Sequence, residues 1–214
     1  MEKIELTQTL PDVFLGRDAV VSEIWHQHVV LERGKTYLIE AASGTGKTSL
    51  CSFVYGWRND YQGVITFDSV DIRNLSVGRW VEIRRKSLSM LFQELRLFPE
   101  LTAWENVMIK HRLTGYQDRS VILDWFSRLG IADKLEQKAG KMSLGQQQRV
   151  AFIRALCQPF DFIFLDEPVS HIDAANASVM AEILQEESSR QGAGIVVTSI
   201  GNRLNMNYDK SFNL

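Results

Sequence analysis

A glycine-rich segment, AASGTGKTS, follows the apolar run TYLIE and leads into the apolar segment LCSFV. Backbone N–H groups of such a loop, placed at the start of a helix, form a cradle for phosphate groups. Lys47 would then reach the β- and γ-phosphates of a nucleotide, and the hydroxyl of Thr48 would bind Mg²⁺. The predicted nucleotide site, called the phosphate loop below, consists of Ala41, Ala42, Ser43, Gly44, Thr45, Gly46, Lys47, Thr48 and Ser49. The alternative is a glycine-rich turn that binds nothing.

Two acidic residues, Asp166 and Glu167, directly follow the four apolar residues FIFL. A buried strand would deliver both carboxylates to the carboxyl edge of a sheet, where open α/β sheets bind ligands. Asp166 would hold Mg²⁺, mostly through water. Glu167 would orient or deprotonate an attacking water molecule. The alternative is that the two acids only cap the next loop, but the upstream phosphate loop favours a shared nucleotide site.

The rest of the pattern predicts the elements that would position these residues. Continuously apolar runs such as TYLIEA, DFIFLDEP and GIVVTS alternate with helical patterns such as AANASVMAEILQEESSR, which is typical of a parallel sheet covered on both faces. The N-terminal runs KIELTQTL and EIWHQHVVL favour strands. Residues of about 94–142, ADKLEQ included, have helical spacing and no strong strand signal. We predict one α/β domain over 1–214, with a mainly parallel sheet, an N-terminal antiparallel β section and a helical insertion at about 94–142.

Composition excludes several classes of protein. The net charge of −2 gives no reason to expect nucleic-acid binding. Cys51 and Cys157 lie far apart in the sequence, so reduced thiols in a cytosolic protein are expected. The N-terminus lacks the apolar region of a signal peptide, and no apolar run approaches the ~18 residues of a membrane span. Work at a membrane would therefore require another chain as the anchor.

Five motifs, in this order, resemble those of the ATP-binding subunits of ABC (ATP-binding cassette) transporters. They are AASGTGKT, LFQELRLFPELTAWENV, MSLGQQQRVAFIRAL, FIFLDEP and SHID, which are similar to the Walker A, Q-loop, signature, Walker B and D-loop segments. Walker segments occur in many nucleotide hydrolases, whereas the signature shortly before Walker B is highly specific. The resemblance covers nearly the whole chain. It implies a P-loop NTPase (RecA-like) core, ATP and Mg²⁺ as cofactors, and ATP hydrolysis.

Subunits of this family form head-to-tail dimers, in which each ATP lies between the Walker A of one subunit and the signature of the other. The resemblance therefore implies that Ser143 and the N–H of Gly145 approach the γ-phosphate of the partner's ATP, and that Gln146 takes the place of the signature glutamine at this interface. The positive end of the helix that begins there would point at this phosphate. The resemblance also implies that Gln93 contacts Mg²⁺ and the attacking water, and that Asp173 faces the opposite Walker A. A capped helix without this contact is the alternative.

An aromatic residue upstream of Walker A stacks on adenine in this family. Phe14 has about the required separation from the phosphate loop, and Trp25 is the weaker candidate. Either ring could equally belong to the hydrophobic core.

Three positions depart from the family pattern. Ala41 replaces the first Walker A glycine, which is acceptable where φ is negative. Leu144 replaces the first signature glycine, and it would cost roughly 1–2 kcal/mol if the loop needed a positive φ there. We expect Leu144 to be tolerated. Ser199 occupies the place of a histidine that holds the γ-phosphate and the water, and its hydroxyl is shorter and uncharged. His171 is an alternative donor across the dimer, although an ordinary loop histidine is the simpler interpretation.

Two functions are compatible with these departures. Retention of Lys47, Gln93, Asp166 and Glu167 favours an active but slow ATPase. Loss of one donor to transition-state charge can cost on the order of 10²–10³ in rate. With Ser199 in place of histidine, the alternative is a nucleotide-gated clamp that hydrolyses little ATP.

Partners and location also follow from the resemblance. The dimer would form with the chain itself or with a paralogous ATP-binding subunit. A separate transmembrane permease would dock near Gln93, along residues 94–98 and the next helix, so the protein would be peripheral on the cytoplasmic face of the membrane. A cytoplasmic ABC protein of DNA repair or translation is the rival, but its long coiled coil or second cassette is not found. The Q-loop segment is most similar to those of lipoprotein-releasing, macrolide-efflux and cell-division ATPases.

Overall fold

The structure, a computed structural model, describes residues 1–16 and 21–214. Its strands are β1 (Lys3–Pro11), β2 (His28–Glu32), β3 (Thr36–Glu40), β4 (Tyr61–Phe67), β5 (Val70–Asp71), β6 (Leu88–Leu91), β7 (Phe162–Asp166), β8 (Gly194–Ser199) and β9 (Lys210–Asn213). Its α-helices are α1 (Lys47–Val54), α2 (Val77–Lys86), α3 (Ala103–Thr114), α4 (Arg119–Arg128), α5 (Leu144–Leu156) and α6 (Ala174–Gln191).

The strands form two sheets. One has the order β6-β7-β8-β3-β9, and all of its neighbouring strands run parallel. The other has the order β2-β1-β4-β5, and its neighbours run antiparallel. The predicted α/β class, with a parallel sheet and an N-terminal antiparallel section, is therefore confirmed.

Strand β7 shows how the parallel sheet holds the two layers of the core together. Phe162 and Phe164 belong to the hydrophobic cluster that includes β1, β4 and α1. Ile163 and Leu165 belong to the other cluster, which includes α5 and α6. Successive side chains of a strand point to opposite faces, so both faces of β7 are buried. This double burial explains the continuous apolar run and fixes the position of the acids that follow it.

Helices α3 and α4 lie within the predicted helical insertion. Helix α3 begins with a capping box formed by Thr102 and Glu105 and ends at Gly115, which has a φ of 61°. Its Val107 and the α4 residue Phe126 share a hydrophobic cluster with α5. The two helices thus support the helix that begins at the signature segment (residues 143–149), while the boundary at 94–142 stays a prediction. Within the described ranges, no helix has the length and apolar character needed to cross a membrane.

The predicted strand EIWHQHVVL is wrong in its first half. Strand β2 begins only at His28. The Ser22 hydroxyl accepts hydrogen bonds from the N–H groups of Ile24 and Trp25 at 3.0 and 2.9 Å, and His26 has a positive φ of 56°. Such local side-chain hydrogen bonds compete with strand pairing. The resulting turn buries Trp25 against the phosphate loop.

Two smaller elements also differ from the sequence prediction. ADKLEQ forms only a short 3-10 turn, Ala132–Lys134. Strand β9, which the pattern did not indicate, pairs in parallel with β3 at the edge of the sheet. Only Phe212 of β9 is buried, so its apolar signal is weak.

A glycine in β4 accommodates a bulge in the neighbouring strand. The pairing of β1 with β4 shifts between Thr7 and Leu10, and Gln8 has a φ of 50°. A Cβ atom on Gly63, whose φ is 81°, would lie 2.3 Å from the Gln8 carbonyl oxygen. Gly63 is therefore required by both its backbone angle and a close backbone approach.

Alanine substitutions separate these two requirements. Gly115 also has a positive φ, but a Cβ atom there would meet nothing within 4 Å. We expect Gly115→Ala to lower the free energy of unfolding by about 1–2 kcal/mol, and Gly63→Ala to lower it by an additional ~1–3 kcal/mol, since the clash is with backbone. Urea denaturation measures both values. Equal losses in the two variants would contradict the role assigned to the bulge.

Candidate functional site

The phosphate loop is held from behind by aromatic side chains. Gly46, with a φ of 104°, caps the start of α1. The Trp25 indole Nε1 donates a hydrogen bond to the Thr45 carbonyl at 3.0 Å. A Cβ atom on Gly46 would lie 3.0 Å from the Trp25 ring and 3.1 Å from the Phe14 ring. Glycine at this position thus allows both the left-handed backbone and the close packing of two rings.

The Lys47 side chain is almost completely buried and is only 4% exposed. Its ammonium group donates to the carbonyl oxygens of Ala41 and Ala42 at 3.0 and 2.9 Å. The nearest carboxylate oxygen, Oε1 of Glu167, lies 4.0 Å away. Burial lowers the pKa of Lys47, and the charges of Glu167 and Asp166 oppose this effect. An ammonium has three donors, so a phosphate oxygen fits as a further, charged partner.

Asp166 ends β7 and is buried beside the loop. Its Oδ1 accepts a hydrogen bond from the Thr198 hydroxyl at 2.6 Å, while Oδ2 is buried without a hydrogen-bond partner among the described residues. Burial raises the pKa of Asp166, an effect opposed by Thr198, Thr48 and Lys47. Nearby, the Thr48 hydroxyl donates to Oε1 of Gln93 at 3.0 Å. Hydroxyl, amide and carboxylate oxygens are the ligands that Mg²⁺ prefers, together with water, so Thr48, Gln93 and Asp166 fit this ion.

Glu167 has a positive φ of 52°, which is uncommon for a residue other than glycine. Its N–H donates to Oγ1 of Thr198 at 3.2 Å, and its carbonyl accepts from Nε2 of Gln148 at 3.1 Å. Burial raises the pKa of the Glu167 carboxyl group, while Lys47 lowers it. A carboxylate with a raised pKa is a better proton acceptor near neutral pH.

Of these groups, Lys47, Thr48, Gln93 and Glu167 line one cavity of about 280 Å³, whereas Asp166 is not part of the lining. It is lined by Val13, Phe14, Ser43, Gly44, Gly46, Lys47, Thr48, Ser49, Gln93, Glu167 and Ile200. Segments far apart in the sequence therefore meet where the motifs predict, and of the two aromatic candidates only Phe14 is in this lining. Val13 and Ile200 were missed, because an exposed apolar residue in a loop carries no signal except its position beside a predicted site residue.

Ser199 occupies a different environment from the one assigned to it. The side chain is fully buried, and its hydroxyl donates to the Asn202 carbonyl at 2.7 Å. Its own carbonyl accepts the N–H of Ala41 at 3.2 Å. The cavity lining contains the next residue, Ile200, and not Ser199. The geometry thus gives Ser199 a supporting contact with the phosphate loop and does not support a catalytic role for its hydroxyl.

The signature segment begins α5 with a capping box. The Ser143 hydroxyl accepts the N–H of Gln146 at 3.3 Å, and Oε1 of Gln146 accepts the N–H of Ser143 at 2.9 Å. Leu144 is the first helical residue, and its side chain is 46% exposed. Its backbone is helical, so the strain considered for a leucine at this position does not arise. Ser143, Gly145 and Gln146 are not among the described residues that line the phosphate cavity.

Gly145 packs against the segment that follows the acidic strand end. A Cβ atom on Gly145 would lie 2.7 Å from the His171 carbonyl oxygen. The His171 ring faces its neighbour Ser170, with Nδ1 and Oγ 2.9 Å apart. Asp173 caps the start of α6 by accepting the N–H of Asn176 at 2.9 Å. Glycine is therefore required at position 145 because the backbone of the same chain approaches it closely. The sequence alone did not reveal this contact.

Comparisons with known proteins agree with this site. Residues 26–170 match the family described as ABC transporter. The chain is 33% identical over 168 residues to the uncharacterized ABC transporter ATP-binding protein Rv0073 of Mycobacterium tuberculosis (strain ATCC 25618 / H37Rv), covering 77% of this chain and 51% of that protein. The chain thus spans about half the length of this relative. It is 29% identical over 210 residues to the lipoprotein-releasing system ATP-binding protein LolD of Syntrophotalea carbinolica, covering 97% and 92% of the two chains.

A solved structure shares the fold. The dimeric structure of MJ0796, a bacterial ABC transporter cassette, superposes with a TM-score of 0.76 at 23% identity, over 91% of this chain and 87% of that one. The family match includes the phosphate loop, the signature segment and the acidic strand end, which the structure joins to one sheet and its flanking helices. The chain therefore belongs to the ABC transporter family and has the fold of an ABC transporter cassette.

Proposed function

We propose that this chain hydrolyses ATP as the ATP-binding subunit of an ABC transporter, working as a dimer on a separate membrane subunit. The observation that carries the proposal is the convergence of Lys47, Thr48, Gln93 and Glu167 on one cavity. The unpartnered carboxylate oxygen of Asp166 beside them supports it. These groups supply a phosphate anchor, ligands for a metal ion and a proton acceptor.

Each group has a defined part in binding and hydrolysis. Residues 43–48 would surround the phosphates of ATP at the start of α1, and the Phe14 ring would contact the adenine. Thr48, Gln93 and Asp166 would hold Mg²⁺, which neutralises charge on the β- and γ-phosphates when bound. Lys47 would stabilise the charge that develops on the γ-phosphate.

Glu167 would act on the attacking water. Its left-handed backbone directs the carboxylate into the cavity lining, 4.0 Å from the ammonium of Lys47. The raised pKa of Glu167 makes the carboxylate a better acceptor for a hydrogen bond or a proton from water. Gln93, whose Oε1 accepts the Thr48 hydroxyl in the same cavity lining, would help to orient the same water.

A head-to-tail dimer would complete the site. The N-terminus of α5 is capped and exposed, and its residues are outside the described lining of the chain's own cavity. A second copy, or a paralogous subunit, would place this positive helix end against its γ-phosphate. Dimeric structures of the cassette MJ0796, one of them in a post-hydrolysis state bound to ADP and phosphate, support this arrangement.

The membrane subunit would dock beside Gln93. In the loop that follows, Leu95 and Arg96 have positive φ values of 58° and 51°, and their carbonyls accept hydrogen bonds from Arg154. This fixed loop ends near Phe98, whose side chain is half exposed. Docking there would place the protein on the cytoplasmic face of a membrane.

The hydrogen bond made by the Ser199 hydroxyl favours slow ATP hydrolysis. Its hydroxyl is already bonded to Asn202, so no side chain at this position donates to the γ-phosphate. The same observation favours the second candidate function, a nucleotide-gated clamp that closes on ATP and hydrolyses little of it.

Substitutions in the cavity distinguish the ATPase from the clamp. Lys47→Met should abolish ATP binding, because it removes the buried cation. Glu167→Gln should retain binding and lower turnover on the order of 10²-fold or more, because it removes the proton acceptor. Binding is measured with a fluorescent ATP analogue, and turnover by phosphate release at saturating Mg-ATP. Lys86→Met, at an exposed lysine of α2 that is not among the described residues of the cavity lining, is the control.

Turnover of the wild type no higher than that of Glu167→Gln would contradict the ATPase and leave the clamp. Retention of ATP binding in Lys47→Met would contradict the site itself.

A charge change at Leu144 tests the dimer. A carboxylate at the first helical position stabilises an isolated helix, so Leu144→Asp should fold normally. In the dimer, however, it would face the partner's phosphates and should abolish ATP-dependent association. Leu144→Asn, of the same shape without the charge, should associate like the wild type. Sedimentation with Mg-ATP in a Glu167→Gln background measures both.

Equal association of the Asp and Asn variants would place this helix end away from the phosphates. Substitution of Gly145 is a poorer test, because any side chain there meets the His171 carbonyl of the same chain.

A further inference from the structure

Gln148 joins the signature helix to the segment that follows the acidic strand end. Its side chain is only 2% exposed. Its Nε2 donates to the Glu167 carbonyl at 3.1 Å and to the Ser170 hydroxyl at 3.4 Å, and its Oε1 accepts the N–H of His171 at 3.2 Å. The oxygen and the nitrogen of this amide are therefore both hydrogen-bonded to residues 167–171. A buried amide of this kind keeps all of these hydrogen bonds in only one position.

A second contact holds the same two segments together. The His171 carbonyl lies where a Cβ atom on Gly145 would be, at 2.7 Å. Gly145 and Gln148 are three residues apart and so lie on one face of α5. Helix α5 and residues 167–171 are thus in direct contact at two points, so we expect a displacement of the helix start to move this segment.

The conformation of Glu167 depends on this packing. Its left-handed backbone is held on one side by Thr198, which accepts the Glu167 N–H, and on the other by Gln148, which donates to the Glu167 carbonyl. Thr198 belongs to the rigid parallel sheet, whereas Gln148 belongs to the helix that starts at the signature segment. The Glu167 carbonyl also accepts the N–H of Ser170 at 3.4 Å, within its own turn. Of these restraints, Gln148 is the one that comes from the signature helix and can follow its movement.

We propose that Gln148 is a positioning residue that adjusts the Glu167 carboxylate to the state of the signature segment. The inference rests on the proposed function, in which the signature segment meets the ATP of a second copy while Glu167 acts on the chain's own ATP. When a phosphate contacts the start of α5, the resulting movement of the helix is transmitted to Glu167 by the Gln148 side chain. Each protomer links the two ATP sites of the dimer by this short path.

Methionine at position 148 tests the link, because it keeps the length and volume of glutamine and removes its hydrogen bonds. In Gln148→Met, kcat for ATP should fall about 10- to 100-fold while the Kd for ATP stays within about twofold, because only the carboxylate is misplaced. The matched control is Gln191→Met. Gln191 ends α6, where its Nε2 donates to Oε1 of Glu187 at 2.6 Å and its Oε1 accepts the N–H of Phe160 at 2.7 Å, outside the signature segment and the cavity lining.

Two kinetic outcomes would overturn the inference. One is an equal kcat in Gln148→Met and Gln191→Met. The other is a rise in Kd that accounts for the whole loss of activity, as expected if Gln148 served only the stability of the fold.

Hydrogen exchange provides a readout that does not depend on turnover. In the wild type, Mg-ATP should increase the protection of residues 143–149 and 167–172 together, and in Gln148→Met it should protect only the first segment. Should the wild type hydrolyse no more ATP than Glu167→Gln, the proposed function fails and exchange alone decides the inference. Joint protection in both proteins, or no response of either segment in the wild type, would overturn it.

Discussion

The charged groups of Lys47 and Asp166 are both buried, and the surrounding protein pairs these charges only in part. Carbonyl oxygens of Ala41 and Ala42 accept from the ammonium, and a single hydroxyl donates to the carboxylate. Burial of incompletely paired charges is costly, and it shifts both pKa values toward the neutral forms. The fold must therefore hold these groups rigidly, and a phosphate with its cation is the complement that relieves the cost.

The end of strand β8 provides much of this rigidity. The Thr198 hydroxyl donates to Asp166 and accepts from the N–H of Glu167, while the Ser199 carbonyl accepts from Ala41. Two consecutive residues thus connect the phosphate loop to the acidic strand end. Position 199 keeps this main-chain role whatever side chain it carries. If Ser199 stands in the place of the family's histidine, as the resemblance implies, the change would leave this architecture intact and would affect only the chemistry.

Features within one short segment could be predicted from the sequence. Residues 41–46 form a loop that leads into α1, and the apolar run before Asp166 forms a strand buried on both faces. Contacts between distant segments could not be predicted. Nothing in the order of residues indicates that the Trp25 indole bonds to the Thr45 carbonyl, or that Gln148 bonds to the Glu167 carbonyl. These bonds depend on how whole helices and strands pack together, and the spacing of apolar residues in the sequence carries no information about that packing.

The signature segment illustrates the same limit at single-residue scale. Leu144 and Gly145 both have helical backbone angles, so backbone freedom does not explain why one position needs glycine. The difference lies in what surrounds them: the Leu144 side chain is directed to solvent, whereas Gly145 faces the His171 carbonyl. Leucine therefore occupies the position where a side chain has room. Gly145, the signature glycine that is kept, allows the close contact between the signature helix and the residues after Glu167.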